Sequence, residues 1–121
     1  MTNDDWPTHT SFPKISGRLV NLRGLSIGDA NDICRLMTYN ISKSLWGLPY
    51  PYSIEDAQNF INSSRRDFEL LKAVNFAILY KNNPDGDSSL VGIISLKNID
   101  LNNKNANLGY WIGELYWGNG I

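Results

Sequence analysis

Gly118, Asn119 and Gly120 are the residues best placed by type and spacing to do chemistry. Backbone without Cβ atoms at two of three positions can turn sharply and present successive N–H groups to an anion. The segment leading into them, Leu108-Gly109-Tyr110-Trp111-Ile112-Gly113, alternates as a strand does. Leu108, Tyr110 and Ile112 share one face, and Gly109, Trp111 and Gly113 the other. A strand feeding a glycine loop can cradle a phosphate, above all where a helix starts directly behind the loop. Asn-Gly between apolar runs is equally a hairpin signal, and spacing leaves the two readings level.

Other reactive side chains are few. Cys34 is the one cysteine, so an intrachain disulfide and a cysteine metal cluster are excluded. Its helical surroundings predict a buried, inert thiol. His9 is the one histidine, which leaves no multi-histidine metal site and makes a Cys–His catalytic pair a poor candidate. Asp85 and Asp87 lie together in a turn, without the regularly spaced oxygens and bidentate Glu of a calcium loop. No metal is expected.

With 42% hydrophobic and 19% charged residues, the chain of 121 residues reads as one globular domain. Eleven basic and twelve acidic residues are scattered without a run, for a net charge of −1. That balance gives no reason to expect nucleic acid or an anionic membrane as partner. Residues Met1 to Trp6 are polar and acidic, unlike a signal peptide, and no apolar run approaches the ~20 residues of a membrane span. A cytoplasmic location is the expectation.

The elements that must position the glycine loop can be read in order. Residues 1–16, with Pro7 and Pro13, predict a flexible arm. A strand is expected over Arg18 to Arg23, then a helix over Ile27 to Thr38 capped by Ser26 or Asp29. Ala30, Ile33, Cys34 and Met37 form its inner stripe, with Leu36 flanking. Residues 39–52 read as a proline-punctuated loop holding Tyr39, Trp46, Tyr50 and Tyr52, aromatics that either cover the core or line a cleft. Ser53 and Asp56 open a second helix to about Leu71, with Ala57, Phe60, Ile61, Ser64, Phe68 and Leu71 inward. Strands over Ala73 to Lys81 and Leu90 to Asn98 follow, joined by the turn formers of residues 82–87. A second polar turn, Asp100 to Asn105, leads to the strand before the glycine loop. The result is an α+β fold, a mostly antiparallel sheet with two helices packed on it.

The string Leu108–Ile121 resembles the fourth strand and acyl-CoA pyrophosphate loop of GNAT-type N-acetyltransferases, most of all the ribosomal-protein alanine N-acetyltransferase branch. Arg18-Leu19-Val20-Asn21-Leu22-Arg23 and Asp29-Ala30-Asn31-Asp32-Ile33 match that family's first strand and helix start, so the likeness spans about residues 17–121. It implies the N-terminal part of the acyl-CoA N-acyltransferase fold, an incomplete acetyltransferase domain over 17–121. A third helix, a fifth strand and the tyrosine or serine that often protonates the leaving thiolate would lie outside it. It also implies acetyl-CoA as co-substrate and transfer of an acetyl group to a primary amine, a protein N-terminus or a small molecule, in a ternary complex. By position, the backbone of Tyr110, Trp111, Ile112 and Gly113 would pair with the pantetheine arm, and an N–H near Ile112 would polarise the thioester carbonyl. Tyr116, Trp117, Gly118, Asn119, Gly120 and Ile121 would hold the pyrophosphate, and Trp46 and Tyr50 the acceptor.

Two positions depart from the family pattern. Leu115 stands where Gln or Arg usually opens the loop, and Asn107 where many relatives carry glutamate. Asparagine cannot act as a base, so no general base or acid is assigned. The fragment alone is expected to be poorly active, and its exposed sheet edge could support a homo-oligomer. A different class of function remains open on the residues: a non-catalytic α+β module whose aromatic loop binds a peptide or protein, with Gly118 to Gly120 as a plain hairpin turn.

Overall fold

The computed structural model describes residues 14–45, 48, 50–81, 83 and 89–118. His9, Trp46, Asn119, Gly120, Ile121 and most of the turn at 82–87 lie outside the described residues.

Among the described residues, five strands form one antiparallel sheet in the order β1-β2-β3-β4-β5. They are β1 (Ile15–Ser16), β2 (Val20–Gly24), β3 (Val74–Tyr80), β4 (Leu90–Asp100) and β5 (Asn105–Ile112). Ile15 and Ser16, expected within the arm, instead pair with Leu22 and Asn21, because a tight turn closed by Gly17 N–H on Val20 O at 2.8 Å reverses the chain there.

The sequence reading placed two helices on the sheet, and the described residues form three α-helices: α1 (Ala30–Leu36), α2 (Tyr39–Ser44) and α3 (Ile54–Glu69). The first expected helix is divided. A 3₁₀ turn over Ile27–Asp29 precedes α1, and Met37 is extended with ψ 90°. The carboxylate of Asp29 binds the Ser26 N–H at 2.9 Å and Arg23 through two nitrogens at 2.8 and 2.9 Å, tying the helix start to β2. Thr38 then caps a new helix, its Oγ1 accepting from Ile41 N–H at 3.4 Å. The loop expected at 39–52 therefore opens with a helix, since Thr38 acts as an N-cap rather than a last helical residue.

α3 follows its expected capping box: Ser53 Oγ accepts from Asp56 N–H, and Asp56 returns a carboxylate to Ser53 N–H, both at 3.0 Å. Ala57, Ile61, Ser64 and Phe68 are buried as expected. Leu71 is not. It adopts φ 55° just past the helix end, where Leu71 N–H bonds Phe68 O and Lys72 N–H bonds Asp67 O, a Schellman turn that swings its side chain outward. In α1 it is Leu36 that is buried, while Cys34 is half-buried with its thiol donating to Tyr52 O at 3.0 Å.

Cross-strand partners share a face of the sheet. Gly24, Phe76, Ile94 and Tyr110 lie on one face, with Leu22, Ile78, Gly92 and Ile112 beside them. The opposite face carries Arg23, Ala77, Ile93 and Trp111, then Asn75, Ser95 and Gly109. α3 lies over this second face: Asn75 Nδ2 donates to Ser64 Oγ at 3.0 Å, and Ser95 Oγ donates to Asn75 Oδ1. α1 packs on α3 and β4. Between helices and sheet sit Leu25, Ile33, Ala57, Ile61, Ala77 and Val91, all 1% exposed or less.

The Ser64–Asn75–Ser95 chain gives a stability test. Asn75→Leu leaves two buried hydroxyls without their partner, at a cost of about 2–4 kcal/mol. Adding Ser64→Ala and Ser95→Ala removes the orphaned groups and should recover more than half of that loss. Urea denaturation of the single and triple variants measures both.

Candidate functional site

The site is built on the side of β5 away from β4, its one strand neighbour among the described residues. In an antiparallel ladder, directly opposed residues alternate between pairs that bond each other and pairs whose N–H and C=O point away. Gly113 N–H bonds Val91 O at 2.8 Å, which makes that pair an inward one. The neighbouring pairs Gly92–Ile112, Ile94–Tyr110 and Leu96–Leu108 are then outward. The N–H and C=O groups of Leu108, Tyr110 and Ile112 thus line the free edge. The same pleat turns Trp111 and Gly113 toward β4, so these two, expected to join in backbone pairing, offer no N–H at that edge. The Trp111 side chain instead packs against the core.

β5 is held unusually close to β4 at this point. A Cβ on Gly92 would collide with Trp111 O and lie 3.0 Å from Ile112 Cα. Glycine is the residue that permits that approach.

After Ile112 the chain bends through Gly113 into a 3₁₀ turn over Glu114–Tyr116. Tyr116 is buried, its ring edge-on to Tyr80 at 6.3 Å and its hydroxyl 3.3 Å from Asn83 Oδ1. Its side chain anchors the loop rather than facing a ligand. The N–H groups of Tyr116 and Trp117 are spent on Gly113 O and Glu114 O, at 2.9 and 3.2 Å. Of the expected cradle donors, these two are committed inside the turn. Gly118 follows with φ +82°, where a side chain is strained even though space is open around it. Trp117 folds its indole back, Nε1 donating to Ile112 O at 2.8 Å.

On the far side of the bend, Glu114 Oε1 accepts from Asn40 Nδ2 at 3.0 Å. Hydrogen bonds from the Thr38 hydroxyl and then Asn40 hold this exposed carboxyl below the usual carboxylate range. The first residues of α2 are thereby tied to the bend. Tyr39 on α2 meets Tyr50 edge-on at 5.5 Å, both rings mostly exposed, and Lys43 Nζ lies 5.6 Å from the Tyr39 ring centre. Tyr52 takes the other course open to these aromatics: it is buried, and burial, then the Asp56 charge, then Cys34, push its hydroxyl up to about 12. The sequence assigns no role to Glu114. Its tie to α2 spans 74 positions and leaves no local signal. Among the described residues, no three of His, Cys, Asp and Glu are grouped to hold a metal ion, and no helix is long and apolar enough to cross a membrane.

Comparison with known proteins places this geometry. The sequence profile of the acetyltransferase (GNAT) domain matches residues 19–121. YdaF of Bacillus subtilis (strain 168), whose name provisionally makes it a ribosomal N-acetyltransferase, is 32% identical over 106 residues, covering 84% of this chain and 55% of YdaF. The microcin C7 self-immunity acetyltransferase MccE, solved with acetyl-CoA and AMP, superposes with a TM-score of 0.70 at 28% identity, over 87% of this chain and 57% of MccE. RimL, the ribosomal L7/L12 alpha-N-protein acetyltransferase solved with coenzyme A, shares the fold at a TM-score of 0.68 and 21% identity, over 89% of this chain and 60% of RimL. The chain thus spans a little over half the length of these relatives.

The Glu114 tie predicts a titration. A depressed folded value means that the stabilising contribution is present above the ordinary carboxylate value and lost as pH falls through the depressed one. Asn40→Ala should move the Glu114 midpoint back up toward the ordinary value, as read from its side-chain carboxyl NMR shift. An unmoved midpoint would mean that the Asn40 contact does not persist in solution.

Proposed function

The chain belongs to the GNAT acetyltransferase domain family, and on that premise we propose that it forms the acyl-CoA side of an N-acetyltransferase site. The reaction moves an acetyl group from acetyl-CoA to a primary amine by direct attack in a ternary complex. The observation that carries this reading is the outward direction of the Tyr110 and Ile112 backbone on the free edge of β5.

An amide-bearing arm laid along that edge meets donors and acceptors at strand spacing, as an added strand would. Ile112 N–H points off the edge and can donate to the thioester carbonyl oxygen. As the amine attacks, the C–N bond forms, the C–S bond breaks and charge grows on that oxygen. A donor fixed by the strand stabilises it without reorganising. The amine sheds a proton, and the sulfur leaves as thiolate. The residue that takes the proton is left unassigned, since Asn107 cannot and Glu114 is held by Thr38 and Asn40.

The bend toward Gly118 receives the diphosphate, with Gly118 supplying a backbone conformation that avoids a Cβ. Asn119, Gly120 and Ile121 would continue that contact. We assign the acceptor to the side carrying Tyr39 and Tyr50, with Trp46 from the same segment. The name of YdaF supports an amine of a ribosomal protein as acceptor. In domain terms, residues 17–121 are read as part of the acetyltransferase domain, with β1 joined to its sheet. The free edge of β5 is also where a second copy of the chain would add a strand, so self-association and acyl-CoA binding should compete.

Calorimetry with acetyl-CoA, followed by mass analysis of amine-bearing peptides, tests the reading. Binding to the chain supports it, and absence of binding overturns it. Within it, Gly118→Val forces a β-branched residue into positive φ at a cost of about 1–2 kcal/mol. If ligand binding needs that conformation, acetyl-CoA affinity should fall by roughly tenfold while the melting temperature of the core stays within about 2 °C.

A further inference from the structure

Ile112 presents two groups to the free edge of β5, an N–H and a C=O, and they differ in one respect. The N–H points away from β4, whereas the C=O already accepts from Trp117 Nε1 at 2.8 Å. Between Ile112 and Trp117 lie Gly113 and the 3₁₀ turn over Glu114–Tyr116, anchored by the buried Tyr116 ring. The indole therefore closes a short clasp from the last outward position of the strand to the residue just before Gly118. The ring itself is 57% exposed, so apolar burial does little to hold it there. The hydrogen bond is what sets its direction.

From this we infer that Trp117 is a positioning residue of the acyl-CoA site, an assignment that rests on the function proposed above. Its indole N–H fixes the distance between the Ile112 N–H, which meets the thioester, and the Gly118 bend, which meets the diphosphate. A ligand with both ends must match that spacing, and a clasped loop offers it without paying ordering entropy on binding. The clasp also removes Ile112 C=O from ligand pairing, leaving Tyr110 C=O as the outward acceptor nearest the thioester.

Trp117→Phe keeps an aromatic ring and deletes the donor. The variant is compared with the unaltered chain for acetyl-CoA and for S-acetylpantetheine, which has the thioester arm but no diphosphate. Loss of one neutral hydrogen bond that orders the loop should weaken acetyl-CoA by about tenfold and leave S-acetylpantetheine within about twofold. A second readout needs no ligand: amide hydrogen exchange at Tyr116, whose N–H bonds Gly113 O within the turn, should accelerate in the variant, while Ala77 and Ile93 in the core are unmoved.

Unchanged exchange at Tyr116 overturns the assignment, as does equal weakening of both ligands. Tighter binding of both would also overturn it, by making the indole an obstacle over Ile112 C=O. If the unaltered chain binds neither ligand, the proposed function fails and this assignment with it. If it binds both and Trp117→Phe changes neither, the assignment fails alone.

Discussion

The alternation of hydrogen bonds along the β4–β5 ladder decides which atoms of β5 the rest of the molecule can use. Because Gly113 N–H is committed to Val91 O, Ile112 and Tyr110 must turn their backbone groups away from β4. A slip of one residue would exchange Ile112 for Trp111 at the edge and reverse every side chain on the strand. The close approach at Gly92 and the burial of Val91 and Ile112 make that slip costly. The register is thus set by core packing, and the outward edge follows from it. Exposed strand edges are normally blunted, yet this one carries Leu108 and Tyr110 at 67% and 66% exposure with no charged residue between them. An edge of that kind suits a strand-like ligand.

Two ties then fix what surrounds the edge. Tyr116 sinks into the core against Tyr80 and holds the bend, and Trp117 returns to Ile112. Glu114, which opens the same turn, reaches the opposite way to Thr38 and Asn40 at the start of α2. A turn of three residues thereby connects the strand edge, the glycine bend and the segment carrying Tyr39 and Tyr50. Neither Glu114 nor Trp117 needs burial for this role, since each is placed by a directed hydrogen bond.

Much of the framework could be read from residue pattern alone. The alternation in β5, the capping box of α3 and the polar turn after Asp100 are local signals, and each led to the right element. The failures were places where tertiary context overrides a local reading. Thr38 closes one periodic segment and opens another, so α2 was hidden inside an expected loop. Leu71 fits the helical stripe of α3, but a leucine in a left-handed turn ends the pattern one step early. Leu36 rather than Cys34 is buried because α1 begins at Ala30 and is turned by the Arg23–Asp29 tie. In the candidate site, the period of two put Tyr110 and Ile112 on one face of the strand. It could not say whether their backbone groups point to β4 or away, because that parity depends on the partner. Nor does sequence show that Trp117 turns back to the strand.

Backbone amide shifts during an NMR titration with coenzyme A test the central claim most directly. If the free edge of β5 and the Gly118 bend hold the acyl carrier, the largest shifts fall on Leu108, Tyr110, Ile112 and Gly118, with smaller ones on inward-facing Trp111 and Gly113. Shifts confined to the α2 segment, or none at saturating ligand, would contradict it.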